Sequence, residues 1–419
     1  MGRVARAWHH RRCEQTRRGF PMPQVNDLSR CLAALDQDST LIAVIEMSQS
    51  SWLVAGMVPG IERHPAKKKL EPDQTALLRL LHRWRAEAER SGRKISRIAV
   101  AFEAGRDGVW LARWLRGRDI DAQVIHPNSI AVSREHRRAK TDRLDTALLK
   151  RAFLGWLRGE RDHCQMIAIP TLEEEDAKRP GRERDALVGE RTRIINRFKS
   201  TLAWLGIRGF KPHLRHAAVR LETLRTHEGM PLPANTMAEL RREIVRLQLI
   251  AGQIREIEAG RVERLEQQPG AGAHPMVRVL AQIRGVGVET ADMLAHEAFS
   301  RPLRDQRAVA RYGGLTGSPD ESGARRREKG LARAGNSRVP HGTSPWAKGP
   351  RGMIQLAWRF LMFQKDSALV RWYRQRTAEA RGATRKTMIV ALARKLLIEL
   401  WRLATTGQVP EGVVLRSAP

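Results

Sequence analysis

The sequence predicts an α/β domain near its N-terminus followed by largely helical regions. Three observations predict this. Between Thr40 and Leu157, short apolar runs of strand length alternate with amphipathic helical patterns. Beyond Glu173 the apolar residues recur at helical spacing inside long, highly charged segments. Near the C-terminus the segments 353–363, 366–380 and 384–403 carry the apolar periodicity of a helical bundle. The expected boundaries are a basic and poorly ordered extension over 1–39, an α/β domain over 40–160, a helical middle segment with a coiled coil over 161–270, and a C-terminal domain over 271–419.

Taken in order, Leu41-Ile-Ala-Val-Ile45 is a strand that ends on an acid, Glu46. A polar Ser-Gln-Ser turn leads into Ser51-Trp-Leu-Val-Ala55, so the pair reads as an antiparallel hairpin. The stretch from Pro59 to Lys69 reads as a linker into a helix over 73–91, with Leu77, Leu78, Leu80, Leu81 and Trp84 on its apolar side. Ile95 to Phe102 is a further strand, and again an acid follows, Glu103. A helix over 108–116 and a strand over 121–125 come next. Then Lys140-Thr-Asp-Arg-Leu-Asp145 opens a helix that runs to Leu157. Its Asp142 and Asp145 stand at i and i+3, so both carboxylates project from one face of the first turn. Acids in a first turn complement the helix dipole, but a divalent cation between two of them would also relieve their repulsion.

Composition narrows the partner. The 419 residues hold 76 Lys and Arg against 45 Asp and Glu, a formal net charge of +31. An excess on that scale points to a polyanion, most often nucleic acid, and its bias towards Arg favours phosphate and guanine contacts. The cysteines are Cys13, Cys31 and Cys164, with no CxxC pair, which argues for a reducing cytoplasm and against a zinc site. No apolar run approaches the length of a bilayer span. Met1 to Phe20 is basic without an apolar core, so it is not read as a secretory signal; it is either a nucleic-acid arm or sequence upstream of a start at Met22.

The middle segment carries a basic stripe, Arg191, Arg193, Arg197 and Lys199, opposite Ile194, Ile195, Phe198 and Leu202. Leu240, Ile244, Leu247, Ala251 and Ile254 follow at 4-3-4-3 spacing, which suits either an intermolecular coiled coil or a helix packed within its own domain. Gln267 to His274 reads as a linker. The C-terminal domain opens on Arg284-Gly285-Val-Gly287, a turn that either presents N–H groups to a phosphate or simply joins two helices. A polar loop follows from Tyr312 to Gly330, with Ser322-Gly323 just ahead of Arg325, Arg326 and Arg327. A small hydroxyl flanked by Gly and close to cations can attack a phosphodiester, though alone it reads as an exposed turn serine. Thr384-Arg-Lys-Thr is a basic helix start suited to backbone phosphates.

Glu46, Glu103, Asp142 and Asp145, together with Ser322-Gly323, resemble the DEDD transposases of bacterial insertion sequences. That family includes the Piv-like DNA invertases and the bridge-RNA-guided recombinases, and the resemblance covers most of the chain after Thr40. It implies a ribonuclease H-like (RuvC-like) N-terminal domain whose four acids, falling on Glu46, Glu103, Asp142 and Asp145, hold one or two Mg2+ ions. It also implies a C-terminal transposase domain with Ser322 as nucleophile, Ser318 being the lower-ranked alternative. Further implications are DNA at the element ends and target as partner, a guide RNA from the element, and a homodimer or homotetramer, which tips the 4-3-4-3 seam towards an intermolecular coil. Nucleic-acid contacts are expected from Arg325 to Arg327, Gly285, Gly287 and the basic stripe.

The chain departs from the family pattern twice. The first acid is Glu46 where the pattern has Asp, which moves the carboxylate outward by roughly 1.5 Å. Misplacement on that scale costs about a hundredfold in rate. After Val339 the chain inserts Pro340 to Pro350, which is too dense in Pro and Gly to be helical. Two rival readings follow: a metal-only junction-resolving nuclease that does not use Ser322, and a catalytically decayed remnant that still binds nucleic acid.

Overall fold

The computed structural model describes residues 35–61, 66–105, 108–126, 129–130, 142–160, 163–301, 303–322, 325–331, 352–379 and 382–416. The inserted segment 340–350, Lys140, Thr141 and all but the last few residues of the N-terminal extension lie outside the described residues. The chain divides into two compact units, with the boundary between Glu173 and Glu174.

The N-terminal unit is built on a five-stranded mixed sheet. Its strands are β1 (Thr40–Met47), β2 (Trp52–Met57), β3 (Ala66–Leu70), β4 (Arg97–Glu103) and β5 (Asp121–Ile125), and its helices are α1 (Gln74–Arg90), α2 (Gly108–Arg116) and α3 (Asp142–Leu157). The strand order is β3-β2-β1-β4-β5. β1, β4 and β5 run parallel, and on the other side of β1 the strand β2 pairs antiparallel with both β1 and β3, so that β2 alone is reversed. The expected hairpin is β1–β2. The stretch read as a linker, by contrast, contains β3, whose Lys67, Lys68 and Lys69 lie along an edge strand. Charged residues at a sheet edge discourage further strand pairing, and they also erase the apolar alternation that announces a strand.

Both sheet faces are covered, as parallel strands require. Leu41, Ala43, Ile45, Val100 and Phe102 point to one side, against Leu77, Leu81 and Trp84 of α1 and Leu111 and Leu115 of α2. Ile42, Val44, Ala99 and Ala101 point to the other, against Leu149, Phe153 and Trp156 of α3. α1 starts where Asp73 accepts hydrogen bonds from the N–H groups of Thr75 and Ala76, at 2.8 and 3.1 Å. Over β2 this helix comes so close that a Cβ on Gly56 would lie 2.5 Å from Cζ3 of the buried Trp84. Gly56→Ala is therefore expected to destabilise this unit by about 1–3 kcal/mol. Urea unfolding would measure it, and an unchanged midpoint would contradict the close approach.

The second unit is mostly helical. It contains α4 (Leu172–Ala177, which begins just before the boundary), α5 (Arg179–Trp204), α6 (Ala217–Glu222), α7 (Ala234–Gln267), α8 (His274–Ala281), α9 (Val288–Met293), a π-helical turn Leu294–Ala298 and α10 (Gln306–Tyr312). The hairpin β6 (Gly317–Ser322) and β7 (Arg325–Leu331) follows, then α11 (Met353–Phe363), α12 (Ala368–Thr377) and α13 (Gly382–Thr406). α5 and α7 pack antiparallel, because Arg184 meets Glu258 while Arg197 meets Glu243. The 4-3-4-3 seam of α7 is buried in this packing. Leu240 and Ile244 lie with Phe198 and Leu202, and Leu247 and Ile254 lie with Val188 and Ile194. The seam thus serves an intramolecular helix pair and not an intermolecular coil; its spacing specifies a helical partner without specifying whose helix it is. The C-terminal core gathers Leu280, Ile283 and Phe299 with Phe360 of α11 and Leu392, Leu396 and Leu400 of α13.

Candidate active site

Glu46 and Glu103 are brought together by strand register. β1 and β4 pair in parallel with Ile45 opposite Phe102, so the next residues, Glu46 and Glu103, stand side by side at the carboxyl ends of neighbouring strands. Alternation places both on the face of Ile42, Val44, Ala99 and Ala101, which is the face that α3 covers. Asp142 is the first residue of α3, and Asp145, three residues on, is half-buried. In open α/β sheets the carboxyl ends of the strands are where ligands bind. All four candidates are carboxylates, the donor type that magnesium accepts. Among the described residues no group of three or more acidic, His or Cys side chains stands close enough to hold a metal ion, and the Asp142 side chain lies outside that description.

Ser322 lies not in a loop but at the end of β6, and its register partner is Arg325, the first residue of β7. Arg326 and Arg327 pair with Glu321 and Asp320 in the same register. Ser318 belongs to β6 as well. A strand made of Gly-Ser-Pro-Asp-Glu-Ser has no apolar alternation, so the sequence pattern reads as a loop.

The Gly285–Gly287 turn joins α8 to α9. Gly285 has φ +101, and a Cβ there would sit 3.2 Å from Cβ of Phe363, so both conformation and space call for glycine. The turn is clamped from behind. The fully buried Gln364 donates through Nε2 to the Arg284 and Val414 carbonyls at 2.7 and 2.8 Å, and its Oε1 accepts from Val414 N–H at 2.7 Å. Arg416 Nη2 donates to the Val286 carbonyl at 3.0 Å. With its carbonyls engaged there, the turn buries Gly285 against Phe363, so the phosphate contact expected at Gly285 is closed off. Gly287 is half-buried, and the backbone hydrogen bonds of the described residues supply no acceptor for its N–H.

Residues 277–340 match the family model Transposase IS116/IS110/IS902. Over 382 residues the chain is 39% identical to the "Putative transposase y4rJ" of Sinorhizobium fredii, covering 89% of this chain and 94% of that protein. It belongs to the IS110/IS116 family of transposases. A "Probable family 20 transposase" of Pseudomonas aeruginosa is 26% identical over 322 residues, 76% of this chain and 87% of that one. Gly285, Gly287, Ser322 and Arg325 to Arg327 all fall inside the matched segment. Among the described residues of the transposase, no helix is long and apolar enough to cross a membrane.

The basic stripe of the transposase divides on folding. Arg197 is spent internally: its Nε and Nη2 donate to Oε1 of the buried Glu243 at 3.1 and 2.6 Å. Arg193 and Lys199 are exposed and Arg191 is half-buried. A network that sequence reading missed ties α5 and α7 to α9. Arg261 of α7, only 4% exposed, pairs with Glu289 and holds Asp292 at 3.2 Å, while Arg184 of α5 reaches Glu258 and Glu289. No spacing rule links residues so far apart in the chain, so nothing in the sequence marks them as a group.

Asp292 also faces His296 in the π-helical turn, with Nδ1 to Oδ1 at 3.3 Å. Burial opposes the imidazolium, but the hydrogen bonds and charge of Asp292 outweigh it and hold His296 above its ordinary 6.5. Burial likewise opposes the Asp292 carboxylate, yet His296 and Arg261 hold its pKa below 3.8. A raised His contributes stability that is complete below its unfolded pKa and lost as pH rises through its folded one. The second unit is therefore expected to lose stability as pH rises from about 6.5. The depressed Asp292 contributes at pH above about 3.8 and loses its contribution as pH falls through its folded pKa. Thermal melts across this range would show it, and His296→Gln should flatten the alkaline slope. An unchanged slope in that variant would assign the effect elsewhere.

Proposed function

We propose that this transposase cuts and rejoins DNA with Ser322 as nucleophile, supported by the acids Glu46, Glu103, Asp142 and Asp145. The observation that carries this reading is the register of β1 and β4. It sets Glu46 beside Glu103 on the sheet face covered by α3, whose first turn contributes the other two acids. A strand order with β1 central, the antiparallel-paired β2 and β3 in sequence on one side and two parallel strands on the other supports a ribonuclease H-like domain. When bound, magnesium would offset negative charge on the scissile phosphate, and the four carboxylates would hold it.

The chain's own residues then divide the work. Ser322 Oγ forms a bond to phosphorus as the bond to the 3′ oxygen breaks, leaving a 5′-phosphoserine linkage and a free 3′ hydroxyl. The serine proton leaves as the 3′ oxygen gains one, so the step is balanced. Attack by a 3′ hydroxyl on that linkage rejoins DNA and restores the serine. Arg325, Arg326 and Arg327, which follow Ser322 across the hairpin, would neutralise charge developing on the phosphate. The half-buried Gly287 would offer its N–H to a backbone phosphate.

A guide RNA from the element would select donor and target by base pairing, while the protein reads charge and shape. The resemblance to the bridge-RNA-guided recombinases carries that part. A homo-oligomer would use the face of α7 turned away from α5, where Val245 and Leu249 are exposed.

The rival metal-only nuclease also needs the acids but not the serine. Magnesium-dependent cleavage of DNA bearing the element ends separates the two. Ser322→Ala should abolish cleavage, and retained cleavage in that variant would favour the rival.

A further inference from the structure

We propose that the antiparallel pair α5–α7 grips the phosphate backbone of a nucleic-acid duplex along two basic clefts. This rests on the nucleic-acid partner of the proposed function but concerns a surface remote in sequence from Ser322 and from the four acids. The first cleft, about 800 Å³, lies between α5, α7 and the 212–215 segment. Arg191, His213, Arg215 and Arg255 line it over an apolar floor that includes Leu247 and Ala251. The second, about 350 Å³, lies where α5 meets the segment after it, and Lys199, Arg208 and Lys211 line it. Among the described residues, no Asp or Glu lines either cleft.

The contrast with neighbouring cations selects the six Lys and Arg residues of these clefts, His213 aside. Arg197 and Arg246 are neutralised by Glu243, Arg241 by Glu222 and Arg184 by Glu258 and Glu289. Among the described residues, Arg191, Lys199, Arg208, Lys211, Arg215 and Arg255 have no such acidic partner, and all but Arg191 are exposed. A third cleft, between other residues of α5 and α7, is lined by Glu183 and Glu256 with Arg264, so the cationic character belongs to one region of the pair. Like charges gathered without counter-charge cost the folded state self-repulsion, which a polyanion would relieve. From Arg191 to Lys199 is eight residues of helix, about 12 Å, which spans roughly three to four phosphates of one strand. Trp204, 90% exposed, directly follows Ala203 of the second cleft. It offers a ring on which an unpaired base can stack.

The test uses the full chain and two fluorescent duplexes of one sequence, DNA and RNA, titrated by anisotropy at increasing salt. A variant carrying Lys199→Gln, Arg208→Gln, Arg215→Gln and Arg255→Gln is compared with wild type, and Arg264→Gln serves as control. Weaker binding is expected. On DNA the log–log salt slope should be shallower by roughly 0.9 for each phosphate that is no longer neutralised, or between about 3 and 4 for all four substitutions. Arg264→Gln should leave the slope unchanged. A shallower slope with either duplex supports the assignment, and the duplex that shows it identifies the occupant. Wild-type slopes with both duplexes would overturn it. If the fourfold variant melts early, Arg255→Gln alone should still lower the slope by about 1. Formation of the Ser322 adduct by a variant with unchanged slopes would mean that this inference fails while the proposed function stands. A reduced slope without any adduct in wild type would mean the reverse.

Discussion

Glu103→Gln is expected to slow DNA strand cleavage by about a hundredfold to a thousandfold, the usual cost of removing one group that stabilises charge at a reacting centre. The substitution keeps the shape at the end of β4, removes the charge and replaces one acceptor oxygen with an NH2 donor. β4 should therefore keep its register with β1 and β5, and the melting temperature of the protein should barely move. DNA affinity should hold or rise, because one negative charge has gone from the neighbourhood of a polyanion. Glu46→Gln, one strand across, should behave the same way. Glu46→Asp, which shortens the side chain by one methylene, tests instead whether reach matters at that position. Cleavage at the wild-type rate in both glutamine variants would remove the strand-end pair from the chemistry.

The second large effect concerns stability. Arg261→Ala is expected to cost the second unit about 1.5–3 kcal/mol, because it takes a charged partner from both Glu289 and Asp292 at the junction of α7 and α9 and leaves Glu289 to Arg184 and Asp292 to His296. Burial decides the magnitude. Arg241 and Glu222 form an equally direct pair at 2.6 Å, but their side chains are 58% and 47% exposed. Solvent screens that pair, so Arg241→Ala should leave the unfolding midpoint almost unchanged. Chemical denaturation of both variants gives the comparison. Equal losses would mean that the Arg261 network is no more than a surface pairing.

How far these sites were legible in the sequence follows from what each depends on. α2 and β5 begin and end at the residues that apolar periodicity assigns, since their burial patterns are local. Glu46 and Glu103 were visible as acids at strand ends, but their adjacency depends on β1 and β4 being neighbours, which a parallel crossover hides. β3 escaped notice because its three lysines protect an edge. β6 escaped because a hairpin of Ser, Pro, Asp, Glu and Arg carries no apolar row. Arg197 reads as a nucleic-acid contact in the sequence, yet Glu243, 46 residues away, takes up its charge in the fold. Charge is legible in a sequence, whereas the partner that cancels it is a property of the fold.

The step on which the proposed chemistry turns is the attack of Ser322 on DNA. Its most direct measurement is to incubate the protein with magnesium, the RNA from its element and DNA carrying the element junction, then denature, digest and locate any nucleotide-bearing peptide by mass spectrometry. A phosphodiester remnant is expected on Ser322, absent from Ser322→Ala. A remnant on Ser318, or cleaved DNA with no covalent peptide at all, would contradict it.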